Sequence, residues 1–286
     1  MTASISPGSG EKSNDTHGFE HFTVESDGLC WWCRERPANT GEHKYKRTDL
    51  TRLMKDDSLV WVGDTGTHEL RGSSGIRRDR YGVVKFPKSM CAQCNNVRSQ
   101  PFDLAYDRFA TFLASGRAHR RSAIPLARIF GRSWREDNRA LARYYGKHFG
   151  CRLHLAKMPI PDSLRSFLDG AGEMPDVHMA LISTDTVRRF ARNGLALSPD
   201  FVMTDPKREQ LQGLVMATYV AAVGVRFQWW TPAAQPPGEL SQFFDFANPI
   251  LNHFADEEAM GSARKRPPLP KRALGWPRHA KPPAKL

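Results

Sequence analysis

Cys30-Trp31-Trp32-Cys33, Glu42-His43 and Cys91-Ala92-Gln93-Cys94-Asn95 are the stretches on which the fold turns. Two Cys-x-x-C pairs can close a tetrahedral zinc site, because four thiolates satisfy the coordination preference of Zn²⁺. Such a zinc would clasp together two pieces of chain that lie far apart in sequence. One piece carries a carboxylate and an imidazole, Glu42 and His43. The other carries an amide oxygen, Asn95. Carboxylate and amide oxygens are hard donors suited to Mg²⁺, and an imidazole beside them can act as a general base. This is the local chemistry of a metal-dependent phosphodiesterase. Two independent redox pairs are the alternative, but the tryptophans lie inside the first pair rather than before it.

The rest of the composition agrees with a polyanionic partner. The chain has 286 residues, 40% of them hydrophobic, a formal net charge of +12 and a pI near 9.7. That length suits one large or two modest domains, and the charge favours nucleic acid or an anionic surface. The charge is also concentrated. Between Arg117 and Lys157 there are eleven Lys/Arg against two acids, and between Gly261 and Leu286 eight against none. A solvated surface usually mixes its signs, whereas a phosphate-binding footprint does not. No apolar run is long enough to span a membrane, so no membrane partner is expected. The N-terminal stretch lacks the apolar core of a secretory signal. Five cysteines, four of them in Cys-x-x-C pairs, fit zinc in a reducing cytoplasm better than disulfides.

Four regions follow. Residues 1–20 read as a disordered lead, 21–116 as the cysteine-bearing domain, 117–260 as an accessory α+β domain and 261–286 as a disordered basic tail rich in proline. Phe102, Ala105, Tyr106, Phe109, Phe112 and Leu113 recur at helical spacing, with Ser99 as a candidate cap and Gly116 as a stop. Asp49–Lys55 suits a helical turn, Ser58–Val62 and Tyr81–Phe86 strands, and Gly63–Arg80 an irregular insertion. A second long helix is expected from Ser133 to about Lys157, and a short one over Asp162–Leu168. In the long helix Arg135, Arg139, Arg143 and Lys147 recur every fourth residue and would share one face, where they could meet successive phosphates. Val177–Ile182, Phe201–Met203 and Val225–Trp229 read as strands. Leu214–Val225 fits either helix or strand, and Leu240–Phe254 is expected to be helical.

The layout of Cys30, Cys33, Glu42-His43, Cys91, Cys94 and Asn95 resembles the HNH endonuclease superfamily, also called ββα-metal or His-Me finger nucleases, in its zinc-bound, endonuclease VII-like form. The resemblance covers residues 28–113. It implies an α+β fold: a zinc-stapled, treble-clef-like ββα-metal domain followed by a C-terminal α+β region and the basic tail. It implies hydrolysis of phosphodiester bonds, in DNA or alternatively RNA, in a phage, mobile-element or defence setting. By resemblance His43 deprotonates water, and Glu42 and Asn95, with Asn96 as the rival, bind a catalytic Mg²⁺ or Mn²⁺. Cys30, Cys33, Cys91 and Cys94 hold a structural Zn²⁺. Lys44, Lys46 and Arg47 directly after the acid-His pair would place phosphates. A double-strand cut from a single site would favour a homodimer. The chain departs from the family pattern in the absence of a proline soon after His43, of a bracing Asn among Phe86–Met90, and in the long gap from His43 to Cys91. A catalytically inactive zinc-containing nucleic-acid-binding protein is therefore the alternative. Asp103 and Asp107, one turn apart, read as solvated helix residues.

Overall fold

A computed structural model describes residues 19–54, 59–63, 66–70, 84–115, 124–184, 195–221, 223–232, 234 and 252–254. Residues 1–18, the tail 261–286, residues 117–123 of the basic segment and 240–251 of the expected last helix lie outside these.

The first half is built on two extended segments that run antiparallel. Thr40 bridges Met90 and His43 bridges Lys85. Backbone bonds from Lys44 N–H to Val84 O and from Phe86 N–H to Glu42 O, both 2.8 Å, complete the pairing. Two residues lie between the bridges on one side and four on the other, so the second segment bulges at Pro87-Lys88. Gly41 explains how close the segments come. A Cβ at this position would sit 2.3 Å from Phe86 O, so any larger residue would force the pair apart. Helix α1 (Arg47–Met54) follows the first segment. The insertion carries a hairpin of β1 (Leu59–Gly63) and β2 (Gly66–Leu70), the second strand lying in a stretch read as irregular.

After Cys91 the chain turns helical through a π-helical stretch, Gln93–Arg98, and continues into α2 (Gln100–Ala114). The buried face of α2 is the predicted one, with Phe102, Ala105, Tyr106, Phe109 and Leu113 inside. Ser99 does not cap it, because the chain is already helical on arrival. Its hydroxyl instead donates to Asn95 O at 2.5 Å. Two extended segments followed by a helix thus frame the four cysteines, within a mixed α+β fold.

Helix α3 (Leu126–Phe130) and a 3₁₀ turn (Gly131–Ser133) lead into α4 (Trp134–Leu155), the spine of the molecule. Tyr144 of α4 stacks on Tyr106 of α2 with centroids 3.9 Å apart. Phe149 stacks on Phe227 of the sheet at 4.8 Å and 3°. Gly150 lies against the Trp31 indole, where a Cβ would meet Cη2 at 2.3 Å. The first Cys pair is thereby packed directly onto α4. Helix α5 (Asp162–Leu168) packs on α4 at Gly146, where a Cβ would lie 3.1 Å from Leu164 Cδ1.

The sheet comprises β3 (Val177–Thr184), β4 (Leu195–Leu197), β5 (Phe201–Thr204), β6 (Leu211–Val220), β7 (Val223–Trp230) and β8 (Asn252–Phe254). Its order is β4-β6-β7-β3-β8, with β5 also on β6. All pairs are antiparallel except β3 with β8. The ambiguous stretch Leu214–Val225 resolves into the β6–β7 hairpin, and its turn passes through Ala221 at φ 52°. The expectation of helix up to Phe254 is corrected at its end, since Asn252–Phe254 pairs in parallel with Ile182–Thr184. Arg152 of α4 donates to Ala217 O and Ser198 O, each at 2.8 Å, and pairs with Asp200, closing the gap between β4 and β5. One continuous apolar cluster runs from Phe22 and Cys30 to Phe227 and Trp229, so the cysteine-bearing half and the sheet share a core. No helix among the described residues is long and apolar enough to cross a membrane.

Candidate metal centre and active-site cleft

The sulfurs of Cys30, Cys33, Cys91 and Cys94 all lie within 4.8 Å of one another. Cys33 Sγ and Cys91 Sγ are 3.9 Å apart. A tetrahedron with Zn–S bonds of about 2.3 Å has edges of about 3.8 Å, so this quartet can hold a zinc ion with little adjustment. Local chemistry shapes each arm. Cys30 N–H donates to Arg36 O at 2.7 Å and Arg34 N–H to Cys30 O at 2.9 Å, making a tight loop that puts Arg34 at φ 59°. Cys94 N–H points at Cys91 Sγ, 3.4 Å away. Burial raises the Cys30 and Cys94 thiols. Burial also acts on Cys33, but the Glu35 and Arg36 backbone N–H groups and the neighbouring thiols outweigh it and bring Cys33 down to about 7. Arg98 Nη1 lies 3.5 Å from Cys94 Sγ, and its guanidinium covers the Trp32 ring at 4.5 Å and pairs with Asp169. Trp32 Nε1 donates to the same carboxylate at 2.7 Å. The cluster is thus tied to the residue just beyond α5, a link the sequence did not suggest.

Beside the cluster lies a cleft of about 630 Å³ lined by Thr40, Gly41, Glu42, His43, Lys46, Arg47, Thr48, Lys85, Asn95, Asn96, Asp103 and Asp107. Glu42, His43 and Asn95 therefore share one cavity, although they come from two separate segments. Asn95 is 8% exposed and its Oδ1 has no hydrogen-bond partner among the described residues. A buried amide oxygen left unsatisfied costs free energy unless something fills its coordination. Its place on the π-helical stretch, directly after Cys94, aims it into the cleft. Asp103 and Asp107, read from sequence as solvated, line the same cavity, as does Lys85.

The carboxylates inside the cleft are paired. Glu42 is 7% exposed, and its Oε2 lies 2.7 Å from Lys147 Nζ. Lys147 is 1% exposed and also reaches Ser99 Oγ at 3.2 Å and Asp103 Oδ1 at 3.7 Å. Burial works against the Lys147 charge, but Glu42 and Asp103 more than offset it and hold the ammonium above the ordinary lysine range. Lys46 pairs with Asp103 at 3.0 Å and Asp107 at 3.7 Å. Arg52 reaches Asp107 at 3.5 Å and Asp49 at 3.4 Å. Asp49 accepts from Tyr106 OH at 2.6 Å, and burial raises its carboxyl.

The basic residues expected to meet phosphates part company here. Arg135 and Arg139 are exposed on α4, as expected. Arg143 is half-buried and donates to Phe167 O at 2.7 Å and Ala171 O at 3.1 Å. The stripe is corrected at Lys147, which faces the interior because Glu42 and the Tyr144 ring, 5.8 Å away, draw it inward. Lys46 is likewise engaged by the two aspartates, and Lys44 Nζ lies 5.7 Å from the Phe86 ring centroid. Arg47 and Lys85 are the exposed cations on the cleft wall.

The residue after Lys147 braces the same segment. His148 Nε2 lies 2.9 Å from Lys44 O, and its ring meets Phe86 edge-on at 5.0 Å. Burial, with the charges of Arg152 and Lys147, pushes the imidazole down to about 3 from an ordinary 6.5. The unfolded chain therefore takes up the extra proton. Stability from this group is complete above pH 6.5 and drains as pH falls towards 3, by up to about 1.4 kcal/mol per pH unit. His148→Gln keeps a donor for Lys44 O and should flatten the acid limb by one proton in urea melts between about pH 4 and 6. An unaltered acid limb would contradict this assignment.

Comparison of the chain with protein-family models, with curated proteins and with solved structures finds no match to any of them.

Proposed function

We propose that this protein is a metal-dependent endonuclease of the HNH type, acting on phosphodiester bonds in DNA. The observation that carries the reading is the shared cleft. It brings a carboxylate, an imidazole and an unpartnered buried amide oxygen together next to a four-cysteine cluster. The antiparallel segments around Glu42-His43, followed by the helical stretch Gln93–Arg98 that carries Cys94 and Asn95, support the ββα-metal arrangement.

Asn95 Oδ1 and Glu42 would hold a divalent ion such as Mg²⁺ or Mn²⁺. Once bound, such an ion supplies Lewis-acid stabilisation of the developing charge on phosphate oxygens. His43 takes a proton from water as its oxygen attacks phosphorus. The P–O bond to the 3′ oxygen breaks, and that oxygen leaves with a proton from solvent. Arg47 and Lys85 on the cleft wall orient the backbone phosphates. Cys94 sits in the sulfur quartet directly before Asn95, and a Zn²⁺ held by the four cysteines would fix Asn95 in place. Arg135 and Arg139, with the basic tail, extend the electrostatic contact along the duplex.

Zinc-loaded protein with Mg²⁺ or Mn²⁺ is expected to nick or cut plasmid DNA, and His43→Ala protein to lose activity by at least about 100-fold, the lower range for a lost general base. Equal cleavage by both proteins would reject the role of His43. A second reading, a zinc-containing nucleic-acid-binding protein without catalysis, is favoured by the ion pair that already engages Glu42. It predicts steeply salt-dependent DNA binding and no cleavage under any divalent ion.

A further inference from the structure

The cleft combines an unsatisfied neutral donor with carboxylates whose charge is already answered. Glu42, Asp49, Asp103 and Asp107 supply four negative charges; Lys147, Lys46 and Arg52 lie 2.7–3.7 Å from them, and Arg47 and Lys85 on the cleft wall bring the positive charges to five. Lys147 is closed off from solvent. It is 1% exposed and held at once by Glu42 and by the Ser99 hydroxyl. An incoming divalent ion would have to share Glu42 with a buried ammonium, in a cleft whose carboxylates are matched by at least as many cations. Coulomb attraction would give it little incentive to enter alone. A phosphodiester brings the missing negative charge and oxygen donors to the same place.

We infer that Lys147 is a positioning residue acting through Glu42, and that its buried charge makes tight binding of the divalent ion contingent on a bound phosphodiester. This rests on the nuclease reading above and deepens it. By linkage, an ion that strengthens DNA binding must itself be strengthened by DNA to the same degree. The consequence is a cleft that stays largely metal-free until substrate arrives, although its ligands are preassembled.

The test uses full-length zinc-loaded protein carrying His43→Ala, so that DNA is not consumed, and follows free Mn²⁺ by electron paramagnetic resonance. With Lys147 present, a short duplex should tighten Mn²⁺ binding by about 10-fold or more. Adding Lys147→Met should tighten Mn²⁺ binding in the absence of DNA by about 10-fold and shrink the coupling to DNA. A lysine of purely structural value would give the opposite, since its loss would loosen the site. Lys46→Met removes a less buried member of the same network and should shift binding in the same direction, which keeps the test decisive if Lys147→Met does not fold. One Mn²⁺ bound equally well with and without DNA, or more weakly in both lysine variants, would overturn the inference while leaving the metal site standing. No Mn²⁺ bound under any condition would overturn the nuclease reading itself, and this inference with it.

Discussion

Cys91→Ser should release the zinc and unfold the cysteine-bearing half of the chain. Cys91 is buried, and its sulfur stands 3.9 Å from Cys33 Sγ, within a quartet that spans two distant segments. A hydroxyl at this position is a poor zinc ligand and leaves three sulfurs to hold the ion. Backbone bonds close the loop around Trp31 and Trp32 locally, but the cluster ties it to the Cys91–Cys94 segment, and the two rings fill the space between α2, α4 and α5. Structural zinc contributes its binding free energy to folding, about 10–16 kcal/mol in small zinc-finger peptides. Part of that should survive here because the apolar core is larger. A loss of several kcal/mol remains the expectation, lowering the melting temperature by about 2–4 °C for each. Wild-type protein should carry one equivalent of zinc per chain by elemental analysis. A fully folded Cys91→Ser protein with an unchanged melting temperature would mean that the cysteines hold no structural ion.

Lys147→Met has the second largest expected effect. The variant leaves the Glu42 carboxylate buried without its cation, and breaking a buried ion pair from one side costs about 3–5 kcal/mol. Adding Glu42→Gln removes the stranded charge, so the double variant should recover most of that loss. Denaturant melts of the four proteins in this cycle check the claim. Additive losses in the double variant would show that the two side chains act independently. Saturating Mn²⁺ should also restabilise Lys147→Met, since the ion replaces the missing positive charge.

Short-range signals made the cysteine quartet, the acid-His pair and Asn95 legible, because each is a compact motif whose chemistry dictates spacing. The buried face of α2 followed from helical periodicity, and α4 and α5 lie close to the ranges expected for them. Lys147 was not legible. A lysine in a period-four row with three arginines reads as solvated, and only the arrival of Glu42 from a distant segment turns it inward. The same holds for Asp103 and Asp107, whose one-turn spacing placed them on a common face but did not reveal that the face lines a cleft. The β6–β7 hairpin was hidden for a different reason. Its strands are buried on both faces, which removes the alternation, and its turn runs through Ala221 without a glycine or asparagine to mark it. At the N-terminal end of α2, Ser99 looked like a cap because the π-helical entry has no sequence signature of its own.

Anomalous diffraction from crystals of the zinc-loaded His43→Ala protein, grown with Mn²⁺ and a short duplex, locates both metals directly. The prediction is one zinc among the sulfurs of Cys30, Cys33, Cys91 and Cys94, and one Mn²⁺ in the cleft at about 2.0–2.2 Å from Asn95 Oδ1 and a Glu42 oxygen. A zinc peak with no manganese in the cleft, and Asn95 Oδ1 turned to some other partner, would contradict the account.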